Sequence, residues 1–340
     1  MKARFCPGRK LLPVCLAAAM LLLAVASSLA ENCTTSNDMD PSTRSAMTAA
    51  SEHYFSLLAR GDANGLRQAS IPSLAADFSA IESMVKDNLP GLTGGKATPR
   101  PAFLLDANGS SPIARAEFFC GVFGSNGQTK DSAIFTLSNL PPGKYGVVIL
   151  DASGGAKGAY TVSLILQQIG SDWKLGGLYI KSAQTAGHDL DWFVDHAREY
   201  QSKRQMHNAW LYFLEARSLV SPLPFMSTAA TDKLYDESQK ALPADFPADG
   251  KTVELAAGGA NYKLTDVFPD IVGNDLDLVV KYQVASVADT NQAYASNVAV
   301  MKAMITKYPE LRSAFAGIVA RAVDPNGRDY GTLLAMKDIK

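Results

Sequence analysis

Histidine, cysteine and tryptophan are scarce in this chain of 340 residues, which holds four, four and three of them. No Gly-x-Ser-x-Gly, His-Glu-x-x-His or Cys-x-x-Cys occurs, which removes the usual signatures of an esterase elbow, a zinc-protease helix and a dithiol centre. "PGLTGGKAT" departs from a phosphate loop where its mechanism needs it: Pro90 replaces the first glycine, and Ala97 replaces the Ser or Thr after Lys96. Charge of one sign is also missing, with 32 Lys and Arg against 33 Asp and Glu. After the first thirty residues the lone basic cluster is Lys203-Arg204, so neither nucleic acid nor an anionic membrane surface is an expected partner. These absences weigh against an enzyme, and no cofactor is expected.

What is present starts with a leader. Lys2, Arg4, Arg9 and Lys10 precede the apolar run "LLPVCLAAAMLLLAVA", and "SSLA" places Ser28 and Ala30 at the small-residue positions of a cleavage site. Residues 1–30 therefore read as a signal peptide cut near Ala30, giving a periplasmic or secreted protein. The run is shorter than the roughly 20 apolar residues of a span, so no membrane span is expected after cleavage. Cys15 follows Val14 and Cys33 follows Asn32, and neither context suits a lipid-anchored cysteine. Cleavage leaves 28 Lys and Arg against 33 Asp and Glu, a net charge of −5. It also leaves two cysteines. In an oxidising compartment Cys33, in the short mature segment 31–40, and Cys120 either pair or remain as a mobile and a buried thiol. About 310 mature residues suggest two or three domains.

The first unit spans residues 41–187. Asp40, Pro41 and Gly61 are the cap, first position and exit of a helix that places Met47, Ala50, Tyr54, Leu57 and Leu58 on one face. Arg60-Gly61-Asp62 then reads as the end of that helix rather than as an adhesion motif. "SLAADFSAIESMVKDNL" predicts a second helix closed by Pro90-Gly91. Six β-rich segments follow, "PAFLLD", "IARAEFFCGVFG", "SAIFTLSN", "KYGVVILDA", "YTVSLILQQIG" and "DWKLGGLYIKS", the last two as a hairpin about Gly170-Ser171-Asp172. Helices before strands predict an α+β unit, with N-terminal helices on a curved antiparallel sheet.

The opening helix ending "YFSLLARGD", the run of strands and the closing "LQQIGSDWKLGGLYIK" resemble the nuclear-transport-factor-two-like family, or cystatin-like roll, over residues 41–183. That resemblance implies a cone whose open end holds a small molecule and, in the enzymes of the family, a carboxylate with a histidine or tyrosine inside. The strands here carry no histidine. His53 and Tyr54 are the helix residues that would face the cone, with Asp106, Glu117 and Asp151 as the available carboxylates.

The second unit, residues 188–242, is a helical hairpin. Phe193, Ala197, Tyr200, Ala209, Phe213 and Ala216 are spaced like the anchors of a tetratricopeptide repeat, which this hairpin resembles. No second copy follows, so the pair must pack on a neighbour, with "AATDKLYDESQKAL" as a third, capping helix. The resemblance implies a protein or peptide partner. The stretch that opens the unit, "GHDLDWFVDHAREY", has two readings. Asp189 and Asp191 are the acids of a helix N-terminus. The weaker alternative makes His188, Asp191 and Asp195 three ligands of a metal site.

Residues 243–340 predict a linker, "ALPADFPADG", and then a small α+β domain. Its strands are "KTVELAAGGANYKLTDVF" and "DLDLVVKYQVAS", its helix runs from Asn291 to Tyr308 on an antiparallel sheet, and its last hairpin turns at Pro325-Asn326-Gly327. The whole reads as an exported, non-enzymatic binding or assembly protein of the cell envelope. It would contact an envelope protein, a peptide or a small apolar ligand, with Tyr54, Phe119, Trp173 and Tyr212 as the recognition aromatics. The alternative is a small-molecule enzyme performing proton transfer or hydrolysis in the cone.

Overall fold

The computed structural model describes residues 31–123, 128–248 and 250–340; the leader expected over residues 1–30 lies outside them. The described chain is α+β, with eight α-helices and fourteen strands in three sheets. No helix among the described residues is long and apolar enough to cross a membrane.

In the first unit, helix α1 (Pro41–Ala59) starts where Pro41 follows Asp40, whose carboxylate accepts the Thr43 N–H at 2.9 Å. It exits at Gly61, held at φ +68°, a conformation that favours glycine. Asp62 then caps the short helix α2 (Ala63–Gln68) by accepting the Gly65 N–H at 2.8 Å. The segment expected to be one helix from Ser73 is two, α3 (Pro72–Ala76) and α4 (Ser79–Leu92), broken at Asp77-Phe78. The Phe78 ring is buried at that break, and Pro90 is absorbed in the last turn of α4.

The main sheet runs β1–β3–β6–β7–β8, from strands β1 (Glu31–Thr35), β3 (Phe103–Ala107), β6 (Gly143–Gly155), β7 (Gly158–Ile169) and β8 (Asp172–Ser182). Strand β2 (Lys96–Pro99) pairs with β6 in line with β3. Strands β4 (Ile113–Cys120), β5 (Ala133–Leu140) and β9 (Met226–Thr228) form a second, three-stranded sheet. The side-chain period of two on β6 sorts its residues onto two faces. Val148, Leu150 and Ala152 pack under α1 and α4, while Tyr145, Val147 and Ile149 meet Phe118 and Phe135 of the small sheet. The unit is thus helices, sheet and second sheet in three layers. Cys33 of β1 and Cys120 of β4 are joined in a disulfide across the two sheets, with Cα atoms 5.1 Å apart.

Helices α5 (Leu190–Ser202) and α6 (Met206–Val220) form the hairpin, and α7 (Ala229–Gln239) follows with Thr228 and Thr231 as a reciprocal N-terminal cap. Phe193, Ala197, Ala209, Phe213 and Ala216 are all buried at the seam, and the Tyr200 and Tyr212 rings meet edge to face at 5.0 Å. One apolar core continues from this seam into the C-terminal sheet, including Leu264, Tyr282, Met304 and Ile318. The hairpin has found the neighbour that a lone repeat needs. Among the bonds that fasten it there, Tyr212 Oη donates to the Ala314 carbonyl at 2.9 Å, and Asn208 Nδ2 donates to the Glu310 carbonyl at 2.9 Å.

The C-terminal sheet is ordered β10 (Val253–Ala257), β11 (Ala260–Val272), β12 (Asp275–Gln283), β13 (Gly317–Val323), β14 (Asp329–Ala335), with α8 (Thr290–Lys307) on one face. It is not wholly antiparallel as expected, because β12 and β13 run parallel. Helix α8 joins them as a crossover, the connection that parallel neighbours require. The expected linker is also packed rather than free. Ala241 and Phe246 are buried, and Tyr308 Oη donates to the Asp245 carbonyl at 2.9 Å.

Candidate functional site

A cavity of about 320 Å³ opens between the main sheet and the small sheet, on the face turned away from the helices. Its origin lies in "KLGGLY". Ile165 of β7 pairs with Gly177 while Leu166 pairs with Leu175, so Gly176 is the extra residue of a β-bulge. With Gly176 and Gly177 adjacent on β8, two side chains are missing from the cavity wall. Leu105, Leu137, Val147, Ile165 and Phe225 supply most of the remaining surface. Tyr179, an exposed member of the lining, meets Phe225 edge to face at 5.7 Å.

Few polar groups reach this space, and they are ordered. Tyr145 Oη donates to the Pro141 carbonyl at 2.8 Å and accepts from Gln167 Nε2 at 3.4 Å. Burial pushes the Tyr145 phenol above its ordinary value, so it stays neutral and acts as a hydrogen-bonding group. The lining contains no Asp, Glu, His, Lys or Arg. The wall is mostly apolar, and its polar groups are the Tyr145 and Tyr179 phenols, the Ser73 hydroxyl and the Gln167 amide, a composition suited to an apolar molecule.

The helix-facing side of the sheet is different. The space where the roll-like resemblance places a cone is filled by Met47, Leu58, Val148, Leu164 and Trp173. Tyr54 is buried there, with its hydroxyl proton shared between the Ala69 and Trp173 carbonyls at 2.8 and 3.0 Å. His53 is exposed. Glu117 accepts from Arg115 Nε at 2.8 Å, Asp151 is held by Arg100 through a bidentate pair, and Asp106 lies half-buried on β3. No acid and base are brought together among these residues. Of the four aromatics expected to recognise a ligand, Tyr54, Trp173 and Tyr212 are core residues. Phe119 is 43% exposed, with Phe123 at 5.5 Å from it.

At the start of α5, Asp189 accepts the Trp192 N–H at 3.0 Å and is the cap. His188 lies flat on Trp192 at 3.7 Å, and His196 stacks on the other side of the same indole at 3.8 Å. Asp191 is exposed and Asp195 faces Arg198 at 3.8 Å. His188, Asp191 and Asp195 therefore do not converge. Among the described residues no group of three or more His, Cys, Asp or Glu is placed to hold a metal ion.

Two polar clusters had no signal in the sequence. His207 lies between Glu310, 2.7 Å from Nδ1, and Asp245, 2.9 Å from Nε2, with Phe246 and Tyr308 against its ring. Its partners are 103 and 38 residues away along the chain, beyond any motif spacing. Burial acts to raise Asp245, but the His207 hydrogen bond and charge outweigh it and hold that carboxyl below its usual range. In the second cluster, burial raises Glu215, which accepts from Thr185 Oγ1. Burial likewise lowers Lys181, which donates to the Ser218 and Ser221 carbonyls.

Compared with known protein families, with curated proteins and with solved structures, the chain matches none. The roll-like resemblance rests on the arrangement of elements and the tetratricopeptide-like one on residue spacing.

Proposed function

We propose that this chain is an exported, non-enzymatic binding protein of the cell envelope, and that the cavity between its two sheets holds a small apolar ligand. The observation that carries the reading is the lining: about 320 Å³ of mostly aliphatic and aromatic wall, two phenols, a hydroxyl and an amide, and no Asp, Glu, His, Lys or Arg. Pockets of roughly 300 Å³ and upward are the size that takes small organic ligands. Binding is favoured over catalysis because proton transfer needs a titrating group within reach of the substrate. The Cys33–Cys120 disulfide supports an oxidising compartment, in keeping with the leader-like first thirty residues.

The test uses an uncharged fluorescent probe, N-phenyl-1-naphthylamine, titrated with the whole protein and displaced with straight-chain alcohols. Saturable one-to-one binding is expected. Gly176→Val fills the cavity without a positive-φ conflict and should weaken the probe by about tenfold, ~1.4 kcal/mol. Unfolding curves establish that the variant is folded. Probe binding that is unsaturable, or that a folded G176V retains in full, removes the ligand-binding reading.

A further inference from the structure

The edge of the C-terminal sheet carries a second surface, independent of the cavity in the first unit. Strand β10 ends its sheet, with β11 on one side and no strand on the other. The β10–β11 hairpin fixes which of its backbone groups are free. Ala257 pairs with Ala260 across the two-residue turn Gly258-Gly259, whose φ values are +58° and +84°. Positive φ at both central residues is the type I′ signature, and the residues flanking such a turn exchange both hydrogen bonds. The alternation of antiparallel pairing then makes Ala257, Leu255 and Val253 the residues bonded to β11. Glu254 and Ala256 therefore point their N–H and C=O groups away from the sheet, into the open edge.

A groove of about 800 Å³ runs beside that edge, between β10 and one face of α8. Its helix wall is made of Ala295, Val298, Ala299 and Ala303, which are short enough to leave room for the side chains of another strand. Lys302 and Lys307 also line it, against Glu254 as the acidic residue of the lining. Lys307 lies 3.9 Å from Asp245, whereas Lys302 is exposed and belongs to none of the ion pairs among the described residues. Lys302 thus brings one uncompensated positive charge to the groove, since Asp245 lies against Lys307.

We infer that β10 accepts an extended, acidic segment of a partner protein as a sixth strand, with alternate apolar side chains entering the groove against α8 and a carboxylate meeting Lys302. Three features converge on that occupant. The free N–H and C=O groups of Glu254 and Ala256 supply the ladder, and five residues of β10 offer about 17 Å of it. The alanine wall takes the side chains of one strand face. Lys302 selects the sign of charge. Strand β10 contains no proline, lysine or bulge, and its one charged residue is Glu254.

The experiment uses the whole protein and two fluorescein-labelled decapeptides of alternating Val and Thr, one ending in Glu-Glu and the other in Lys-Lys. The acidic peptide should bind saturably and the basic one at least tenfold more weakly, and the acidic peptide should slow amide exchange within 253–257. Ala256→Pro is the decisive variant. It deletes one outward N–H and leaves the β10–β11 bonds intact, at an edge position where proline is tolerated. A folded A256P should lose the acidic peptide by about tenfold, and Lys302→Glu should do the same by charge. Equal binding of the acidic peptide to A256P would mean charge attraction without strand addition and would overturn the proposal. So would a wild-type protein that forms dimers in sedimentation while A256P is monomeric, because a second copy would then own the edge.

Discussion

Cys33 and Cys120 are bonded across 87 residues of chain, and they tie an edge strand of the main sheet to the last residue of β4 in the small sheet. The cavity lies between those two sheets, so the bond fixes the layers that form its walls. Closing a loop of that length removes several kcal/mol of freedom from the unfolded chain, and loss of such a bond costs about 2–5 kcal/mol. Cys33→Ser/Cys120→Ser should lower the unfolding free energy read from urea curves by that amount, and reductant should shift the wild type to the same midpoint. A wild-type midpoint unmoved by reductant would show that the bond does not hold the layers together.

Gly155 and Gly91 approach so closely that a Cβ on Gly155 would stand 1.7 Å from the Gly91 carbonyl oxygen. Backbone cannot yield as a flexible side chain does. Gly155→Ala should cost about 1–3 kcal/mol, as overpacking in a fixed site does. Gly94→Ala, nearby and with open space around the new Cβ but φ +73°, serves as the contrast, carrying only its conformational cost of about 1 kcal/mol. Chemical denaturation of the two variants separates close packing from backbone conformation.

His207 joins helix α6 to Asp245 on the segment before β10 and to Glu310 after α8. Removing the imidazole leaves the two carboxylates facing one another and opens a gap between Phe246 and Tyr308. His207→Ala should destabilise by roughly 1–3 kcal/mol at pH 6, a range kept modest because half of the Asp245 side chain is solvent-exposed. Proteolysis between α7 and β10 should quicken in the same variant. A variant as stable and as resistant as wild type would show that the contacts of Tyr308 and Phe246 suffice.

Glu215 gives a pH dependence with a defined sign. Burial raises its folded pKa above the ordinary value of 4.5, so between that value and the raised one the folded state holds the proton that the unfolded chain has lost. Its contribution is therefore complete below about pH 4.5 and is lost as the pH rises through the folded pKa. Glu215→Gln keeps an acceptor for Thr185 and carries no charge. Its stability relative to wild type should improve steadily from pH 4.5 upward, as read from urea midpoints across pH 4 to 8. Parallel wild-type and variant curves would mean that Glu215 titrates normally.

Much of the fold was legible because its causes are local. Asp40 before Pro41, Asp189 before an apolar turn and Pro325-Asn326-Gly327 before β14 each satisfy a nearby backbone need, whereas "KTVELAAGGANYKLTDVF", expected as one strand, is a hairpin turning at Gly258-Gly259. The seam residues Phe193, Ala197 and Phe213 follow the helical period, and all three are buried. Short strands β2 and β9 were not legible, since three or four residues show no alternation that distinguishes them from a loop. The site was legible only in part. Phe119 is exposed as a recognition residue would be, but Tyr54, Trp173 and Tyr212 are large aromatics that the cores claimed first.

From its own letters the chain determines where most of its helices begin and end and which face of the longer strands is apolar. These follow from capping, turn conformation and periodicity, which act over a few residues. Tertiary structure alone decided that β12 and β13 run parallel and that His207 lies between Asp245 and Glu310. It also opened the cavity on the face away from α1, through the bulge at Gly176, and left β10 at an edge of its sheet. Each of those depends on segments tens of residues apart being packed together, and no local pattern records which distant surface a segment will meet.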